Sequence, residues 1–302
     1  MRVTEIADRP TGQQRRDALE FAARVGEATG SPALSDHLRL DLVSPGEAPP
    51  LLVTVRDPVR LIATAQVSQA NASSVLEVVT DPELSPGDAV DVRDDVAETA
   101  VDLHRRAGGD PVVWWVDDPT DHDTEIARRL GLEPIRELFE MRRPLPHPDH
   151  AVIETRDFAP GRDDEAWLGV NNRAFAGHGE QGGWTRETFV ARQAEPWFDP
   201  AGFRVHDDAD GRMLGFCWTK LHHETDPVIG EIYVIAVDPA AHGRGLGRQL
   251  TLAGLDSISA RGVTIANLYV DADNTAAVAL YDRLGFTVHR RRLAFGSPGA
   301  PS

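Results

Sequence analysis

Apolar and polar residues follow one another along the first half of the chain in a pattern that predicts alternating helices and strands. Apolar residues recur at helical spacing in residues 13–29, which end at Gly30, and short apolar runs indicate strands. The predicted order is a helix at 13–29, strands at 51–55, 61–67 and 74–80, a helix at 95–106, a strand at 111–116, a helix at 123–130 and a strand at 139–142. This order indicates an α/β (α+β) fold with a mixed central sheet flanked by helices.

The second half repeats this order after a proline-rich segment. Three prolines within residues 144–148 preclude a helix or a central strand, so residues 144–151 are predicted to be a linker. The elements predicted beyond it are a helix at 163–175, strands at 203–206 and 213–221 joined by a turn at 208–211, a strand at 230–237, a helix at 244–260, a strand at 263–270, a helix from 274 and a strand at 286–295. We therefore predict two tandem domains, residues 1–143 and residues 152–302.

Two short matches in register indicate that the halves are copies of one unit. Residues 78–82, Val-Val-Thr-Asp-Pro, correspond to residues 235–239, Ile-Ala-Val-Asp-Pro. Residues 129–132, Arg-Leu-Gly-Leu, correspond to residues 283–286, Arg-Leu-Gly-Phe. Because both matches fall at the same place in the order of elements, each half is expected to have the same fold.

Composition limits the classes of function. The 302 residues carry a formal net charge of -17, which argues against nucleic-acid binding because neutralising phosphates needs clustered Lys and Arg. An anionic coenzyme remains compatible, since backbone amides and a few Arg residues hold phosphates locally. With one cysteine, no bilayer-spanning apolar stretch and no signal-peptide pattern, a cytoplasmic protein without membrane contact is expected.

Two residue types that often carry chemistry are expected not to do so here. Cys217 lies in an apolar run and is predicted to be a buried strand residue rather than a nucleophile. His222, His223 and Glu224 form the densest histidine cluster, but adjacent strand residues point to opposite faces and do not readily chelate one ion. We therefore expect no metal.

The most informative segment is residues 237–248, where a predicted strand ends and a helix begins. Gly243, Gly245 and Gly247 let backbone N–H groups face a diphosphate without obstruction by Cβ atoms. Arg244 and Arg248 add positive charge at the helix N-terminus. A Walker A loop would need Gly-Lys-Ser/Thr, and a Rossmann fingerprint would need other glycine spacings. The segment therefore indicates a site for a diphosphate-bearing coenzyme.

This segment resembles the acetyl-CoA signature of the GNAT N-acetyltransferase superfamily, Gln/Arg-x-x-Gly-x-Gly/Ala, with His242 in the first position. Residues 274–286 resemble the later motif of that family, with Asn, Ala, a Leu-Tyr pair and Gly-Phe at matching places. The resemblance implies two tandem GNAT domains that use acetyl-CoA as the acetyl donor. The implied coenzyme contacts are Ile235, Ala236, Val237, His242, Gly243, Arg244, Gly245, Leu246, Gly247, Arg248, Asn274, Thr275, Ala276, Ala277, Val278 and Ala279, with Val78, Val79 and Thr80 in the first half.

The tandem halves, together with residues 171–175, 178–184 and 195–198, resemble the mycothiol synthase family over essentially the whole chain. The resemblance implies acetylation of the cysteinyl amine of cysteinyl-glucosaminyl-inositol, the last step of mycothiol synthesis. It also implies acceptor contacts at Asp36, Glu180, Lys220, Glu231 and Tyr269. The family usually has Glu at the position of Asp36, so that side chain reaches one carbon less far. We also expect a monomer.

The reaction needs a neutral amine and an acid for the leaving thiolate. A free α-amino group titrates near neutrality, so a modest base suffices. A two-residue strand period places Glu231 on one face with Tyr233, Ile235 and Val237, and the family pattern makes Glu231 that base. By the same resemblance Tyr281 meets the coenzyme sulfur and protonates the thiolate, while a backbone amide near residues 235–237 holds the thioester oxygen.

The first half lacks the loop and the acid. Residues 83–88, Glu-Leu-Ser-Pro-Gly-Asp, form an acidic segment in place of the glycine-rich loop, and Ala127 stands where the repeat would place Tyr281. This half is expected to bind acetyl-CoA weakly or to form a wall of the acceptor site. Two alternatives stay open: a GNAT enzyme for another small amine or a protein N-terminus, and a non-catalytic acetyl-CoA sensor.

Overall fold

The chain forms two compact units, seen in a computed structural model that describes residues 2–30, 32–46, 48–70, 73–177 and 181–300. The first unit comprises Met1–Leu138, Glu224–Asp226 and Arg290–Ser302, and the second comprises Phe139–His223 and Pro227–His289. The C-terminal segment therefore belongs to the first unit. That residues 1–143 and residues 152–302 are separate domains stays a prediction.

The described helices and strands follow the predicted alternation. The helices are α1 (Gly12–Thr29), α2 (Asp36–Val43), α3 (Pro86–Arg106), α4 (Asp121–Arg129), α5 (Asp164–Ala174), α6 (Arg186–Gln193), α7 (Leu246–Ser259) and α8 (Thr275–Arg283). The strands are β1 (Val3–Ala7), β2 (Leu51–Arg56), β3 (Leu61–Gln69), β4 (Ser74–Thr80), β5 (Val112–Asp117), β6 (Glu133–Pro144), β7 (Arg156–Asp157), β8 (Phe203–Asp207), β9 (Met213–His222), β10 (Ile229–Val237), β11 (Ile265–Asp271) and β12 (Thr287–Gly296).

The first unit is a mixed sheet between two layers of helices. Strands β1 to β4 pair antiparallel in sequence order, β5 adds parallel to β4, and the end of β12 adds antiparallel to β5. Buried residues of α3 and α4 pack on one face of the sheet. Residues of α1 and α2 pack on the other, where Phe21 meets Val79 and Ala18 meets Leu52. The predicted mixed sheet with flanking helices is confirmed.

The second unit has the same layering. Its strands lie in the order β6, β11, β10, β9, β8, β7, and β10 is parallel to β11 but antiparallel to β9. Helices α7 and α8 pack on the face that carries Cys217. Helices α5 and α6 pack on the opposite face, where Trp167, Trp218 and Phe216 belong to an aromatic cluster. Strand alternation along β9 separates Cys217 from its two aromatic neighbours.

Differences from the predicted elements have local causes. Helix α3 begins at Pro86 rather than residue 95, because Ser85 caps it by accepting a hydrogen bond from the N–H of Asp88 and proline suits the first helical position. Helix α7 begins at Leu246 rather than residue 244, because Gly245 has a left-handed φ of 74°. Strand β1 and the short helices α2 and α6 were not predicted.

Candidate active site

Strands β10 and β11 separate before either of them ends. They are paired from Ile229 opposite Ile265 to Ile232 opposite Leu268, yet β10 continues to Val237 and β11 to Asp271. Beyond Ile232, β10 keeps its antiparallel ladder with β9 on one side only. Alternate backbone groups of a strand point to its two sides, so part of the main chain of residues 233–237 faces the gap that β11 leaves. This segment includes Ile235, Ala236 and Val237.

A β-bulge at Tyr233 changes which side chains face the same way. The ladder with β9 shifts register between Ile232 and Val234. Ile232 packs in the core beneath α7, and so do Ile235 and Val237, whereas Val234 lies in the aromatic core on the opposite face. The prediction that Glu231 shares a face with Ile235 and Val237 is therefore wrong, because the extra residue reverses the alternation.

The glycine-rich loop leads into α7 with an uncapped N-terminus. Gly243 and Gly245 have φ values of 77° and 74°, and Gly245 at the N-cap has no side chain with which to cap the first-turn amides. A Cβ atom placed at either glycine would meet no atom within 4 Å. His242 is exposed and its Nε2 lies 3.1 Å from the carbonyl oxygen of Val237, which ties the loop to the strand end. First-turn amides of α7 and open space thus meet at one place, which fits a diphosphate.

The two arginines of the loop differ in their surroundings. Arg244 is exposed, and no carboxylate among the described residues pairs with it. Arg248 lies one turn into α7 and donates to Asp149 at 2.5 Å, so much of its charge is already offset. Of the two, Arg244 is the better placed to meet a phosphate, and both roles stay predictions.

The second motif forms the first turns of α8. The side chain of Asn274 caps the helix by accepting a hydrogen bond from the N–H of Ala277 at 3.2 Å. Seven residues on, Tyr281 is buried, and its ring centroid lies 5.8 Å from that of Phe286. Burial, with the nearby Cys217, raises the pKa of the Tyr281 hydroxyl above its ordinary value of 10.0. Tyr281 therefore keeps its proton at neutral pH, as an acid requires.

Cys217 is a buried residue of strand β9, as the sequence predicts. The thiol is fully buried beneath α7, and burial raises its pKa to about 12. Because the thiolate is the nucleophilic form, this cysteine is chemically inert near neutral pH.

Glu231 lies among buried polar side chains on the sheet face opposite α7. Lys220 stands directly across the ladder from Glu231, and its Nζ lies 4.9 Å from the ring centroid of Trp197 and 5.9 Å from that of Tyr233. On the diagonal, His222 Nε2 lies 2.6 Å from Glu231 Oε2. Sequence reasoning missed His222 as a partner; the hairpin register, once known, places residues 222 and 231 side by side on one face.

The remaining predicted acceptor contacts are found at several places. Tyr269 lies on β11, two residues beyond Asn267, which is in register with Glu231, so all three belong to the same sheet face. Asp36 is the first residue of α2 in the first unit, and its Oδ1 lies 3.8 Å from Nε of Arg39. Glu180 lies outside the described residues. Lys220, Glu231 and Tyr269 are thus brought together on one face of the second unit.

Both units contain the same ion pair, between a buried aspartate and a partly exposed arginine, at the end of the strand that precedes the loop. In the first unit Arg24 of α1 pairs with Asp81 at 3.1 Å. In the second, Arg173 of α5 pairs with Asp238 at 2.6 Å. The matching pairs support duplication and confirm that the two Asp-Pro sequences are equivalent.

The first unit departs from the second where the coenzyme loop would be. The N-terminus of α3 is capped by Ser85 and carries the carboxylate of Asp88, so it opposes an anion. At the end of α4 the N–H of Leu132 donates to the carbonyl of Ala127 at 2.8 Å, as that of Phe286 does to Tyr281 at 3.0 Å. Ala127 therefore occupies the position of Tyr281. Coenzyme contact by Val78, Val79 and Thr80 stays a prediction.

No helix in the described ranges is both long and apolar enough to cross a membrane. In the same part of the chain no three His, Cys, Asp or Glu side chains are grouped as metal ligands would be. The cytoplasmic location and the monomeric state stay predictions.

Comparison with known sequences shows which family this chain is similar to. The profile of the Acetyltransferase (GNAT) family matches residues 167–286. The mycothiol acetyltransferase of Pseudarthrobacter chlorophenolicus is 39% identical over 300 residues, which is 91% of this chain and 90% of that protein. That of Salinispora arenicola is 40% identical over 297 residues, with 94% and 93% covered.

Comparison with solved structures establishes the fold. A GCN5-related N-acetyltransferase from Sphaerobacter thermophilus has a TM-score of 0.72 and 20% identity, and the match covers 100% of this chain and 96% of that one. A tandem GNAT protein from the clavulanic acid biosynthesis pathway has a TM-score of 0.65 and 16% identity, with both chains covered in full. The fold is therefore that of a tandem GNAT protein.

Proposed function

Because this chain belongs to the mycothiol acetyltransferase family of GNAT enzymes, we propose that it transfers the acetyl group of acetyl-CoA to the cysteinyl amine of cysteinyl-glucosaminyl-inositol. The products are mycothiol and CoA. Family membership supports the identity of the acceptor, since the relatives are mycothiol acetyltransferases. The geometry supports the reaction class independently of that name.

The observation that carries the reaction class is the gap beside β10 with the glycine-rich loop at its end. An extended pantetheine arm would add to residues 235–237 as a strand does, with main-chain hydrogen bonds to the groups that β11 leaves. Its diphosphate would meet the amides of residues 243–248 and the charge of Arg244. The first turns of α8, residues 274–279, would line the other side of the arm.

Glu231 would act as the base in this reaction. The amine nitrogen attacks the acetyl carbon, its proton passes to the Glu231 carboxylate, and the C–S bond breaks. Burial of the carboxylate among Lys220, His222 and the aromatic rings keeps bulk water from competing for that proton.

Tyr281 would supply the proton that the departing CoA thiolate takes. Its hydroxyl keeps the proton at neutral pH because burial raises its pKa. A main-chain N–H of residues 235–237 would meanwhile donate to the thioester oxygen, where negative charge develops. Exchange with solvent then returns a proton to Tyr281 and removes one from Glu231.

The acceptor would lie on the Glu231 face of the second unit. Lys220 is held between aromatic rings and would donate to hydroxyl groups of the sugar or the inositol. Tyr269 lies farther along β11 on the same face and would stack or donate. Contacts of the acceptor with Asp36 and Glu180 stay predictions from the family resemblance, in which these carboxylates would accept from hydroxyl or ammonium groups.

The proposal is tested by comparing acceptors under identical conditions. The purified protein is incubated with acetyl-CoA and either cysteinyl-glucosaminyl-inositol, an aminoglycoside or a peptide with a free N-terminus, and CoA thiol release and acetylated product are measured. We expect the first acceptor to be preferred by a large factor in kcat/KM. Equal turnover of unrelated amines would reject the acceptor assignment.

A double variant, E231Q/Y281F, separates an enzyme from a non-catalytic sensor. An enzyme would lose turnover in this variant while its affinity for acetyl-CoA stays nearly the same. A protein that never turns over, but still binds acetyl-CoA, would support the sensor instead.

A further inference from the structure

His222 makes a close contact with the proposed base that the reaction described above does not use. Its Nε2 lies 2.6 Å from Glu231 Oε2, and the two side chains are only 4% and 10% exposed. A buried carboxylate needs hydrogen-bond donors to replace water, and an ionised acceptor makes the bond short and strong. With Glu231 ionised, the Nε2–H of His222 donates this bond.

The register of β9 and β10 makes these two residues neighbours. His222 ends β9 opposite Ile229, and Glu231 follows two residues later on β10, so the two side chains are diagonal neighbours across an antiparallel ladder. Strand β11 pairs with β10 at Glu231, which lies opposite Asn267, whereas β8 pairs with β9 only as far as Trp218. Backbone pairing therefore sets the imidazole and the carboxylate beside each other on one face of the sheet.

The two carboxylate oxygens are not equivalent. Oε2 accepts from His222, whereas Oε1 accepts no hydrogen bond from any residue in the described ranges. Lys220, the nearest cation along the ladder, has its ammonium group over the Trp197 and Tyr233 rings. A single donor thus orients the carboxylate and leaves one oxygen for an incoming amine.

We propose that His222 is the positioning residue of the acetyl transfer: its imidazole fixes Oε2 of Glu231 so that Oε1 meets the amine proton. The inference rests on the proposed role of Glu231 as base. During the reaction the amine N–H bond breaks and an O–H bond forms at Oε1, while the bond from His222 to Oε2 persists. His222 itself neither gains nor loses a proton in this step.

The test compares H222F and H222Q with the control H223F. His223 is the next residue in the sequence but is exposed. H223F therefore makes the same His-to-Phe change at a position that is not buried. For H222F we expect kcat to fall about ten- to one-hundredfold, the range for losing one hydrogen bond to a charged group, with the KM for acetyl-CoA unchanged. H222Q retains an amide N–H and is expected to recover a large part of the loss. H223F is expected to match the unaltered protein.

A double-mutant cycle distinguishes positioning from a general effect on folding. If His222 acts only through Glu231, adding H222F to E231Q lowers kcat no further. Additive losses, or a loss in H222F with no recovery in H222Q, would overturn the positioning role. Full turnover by E231Q would instead refute the proposed base, and turnover lost in E231Q but kept in H222F would refute the positioning role alone.

Discussion

Asn267 on β11 stands in register with Glu231 on β10, in the last paired stretch before the two strands separate. The residue is 1% exposed, and neither its amide nitrogen nor its amide oxygen has a hydrogen-bond partner among the described residues. An unsatisfied buried amide destabilises the folded state, because these groups lose water and gain nothing in return.

Replacing Asn267 by Leu is expected to stabilise the protein. Leucine has the same number and branching of side-chain heavy atoms as asparagine and removes both unsatisfied groups, so we expect the free energy of unfolding to rise by roughly 1 kcal/mol. Urea titration of both proteins without substrates measures the change. A matched control is N171L: Asn171 is equally buried and its Oδ1 also lacks a partner among the described residues, but its Nδ2 donates to the Gln181 carbonyl at 2.8 Å, so its replacement should destabilise. Destabilisation by N267L would contradict the argument.

The element order could be predicted because the strands of this protein differ sharply from its helices in hydrophobic period. Strand β4, Ser74–Thr80, agrees with its prediction at both ends, and the β8–β9 hairpin forms around the predicted turn. The repeat of Asp-Pro after a strand in both halves also predicted equivalent positions, which the ion pairs of Asp81 and Asp238 confirm.

The site could be predicted only in part, because its geometry depends on register. The bulge at Tyr233 adds one residue to β10 without any sequence signal, and it moves Ile235 and Val237 to the face opposite Glu231. The partnership of His222 with Glu231 likewise depends on the length of the loop between β9 and β10. Short helices such as α2, with eight residues, contain too few periodic positions to stand out from a loop.

The left-handed glycine that starts α7 is expected to be needed for coenzyme binding. In G245A, a residue with Cβ must adopt a φ of 74°, which costs about 1–2 kcal/mol and favours a displaced loop. We expect the dissociation constant for acetyl-CoA to rise about tenfold, measured by calorimetry. G211A is the matched control. Gly211 has a φ of 79° in the β8–β9 turn, so alanine there causes similar backbone strain outside the glycine-rich loop. Equal affinities for the two variants would contradict the assignment.

Loss of the Tyr281 hydroxyl is expected to slow expulsion of the thiolate. In Y281F the buried ring remains, so acetyl-CoA affinity should be unchanged while kcat falls about one hundredfold or more. The loss should shrink with an aryl thioester donor, because its thiolate leaves without needing a proton. Since burial raises the pKa of Tyr281, its ionisation should cause no decline in rate up to pH 10. An equal loss with both donors would argue that the hydroxyl is structural.

Asp238 links stability to pH. Burial alone would raise its pKa, but the N–H of Ala240 and the guanidinium groups of Arg173 and Arg212 outweigh burial and lower it from the ordinary 3.8. The folded state therefore favours the ionised carboxylate, and this contribution is complete above pH 3.8 and is lost as the pH falls below that value. We expect D238N to be less stable than the unaltered protein by roughly 1 kcal/mol at pH 7, with the difference shrinking toward pH 3. D210N, at an exposed turn position, controls for net charge. Denaturant titrations at several pH values measure the difference in unfolding free energy between D238N and the unaltered protein. A difference that stays constant or grows in acid would contradict the proposed stabilisation by ionised Asp238.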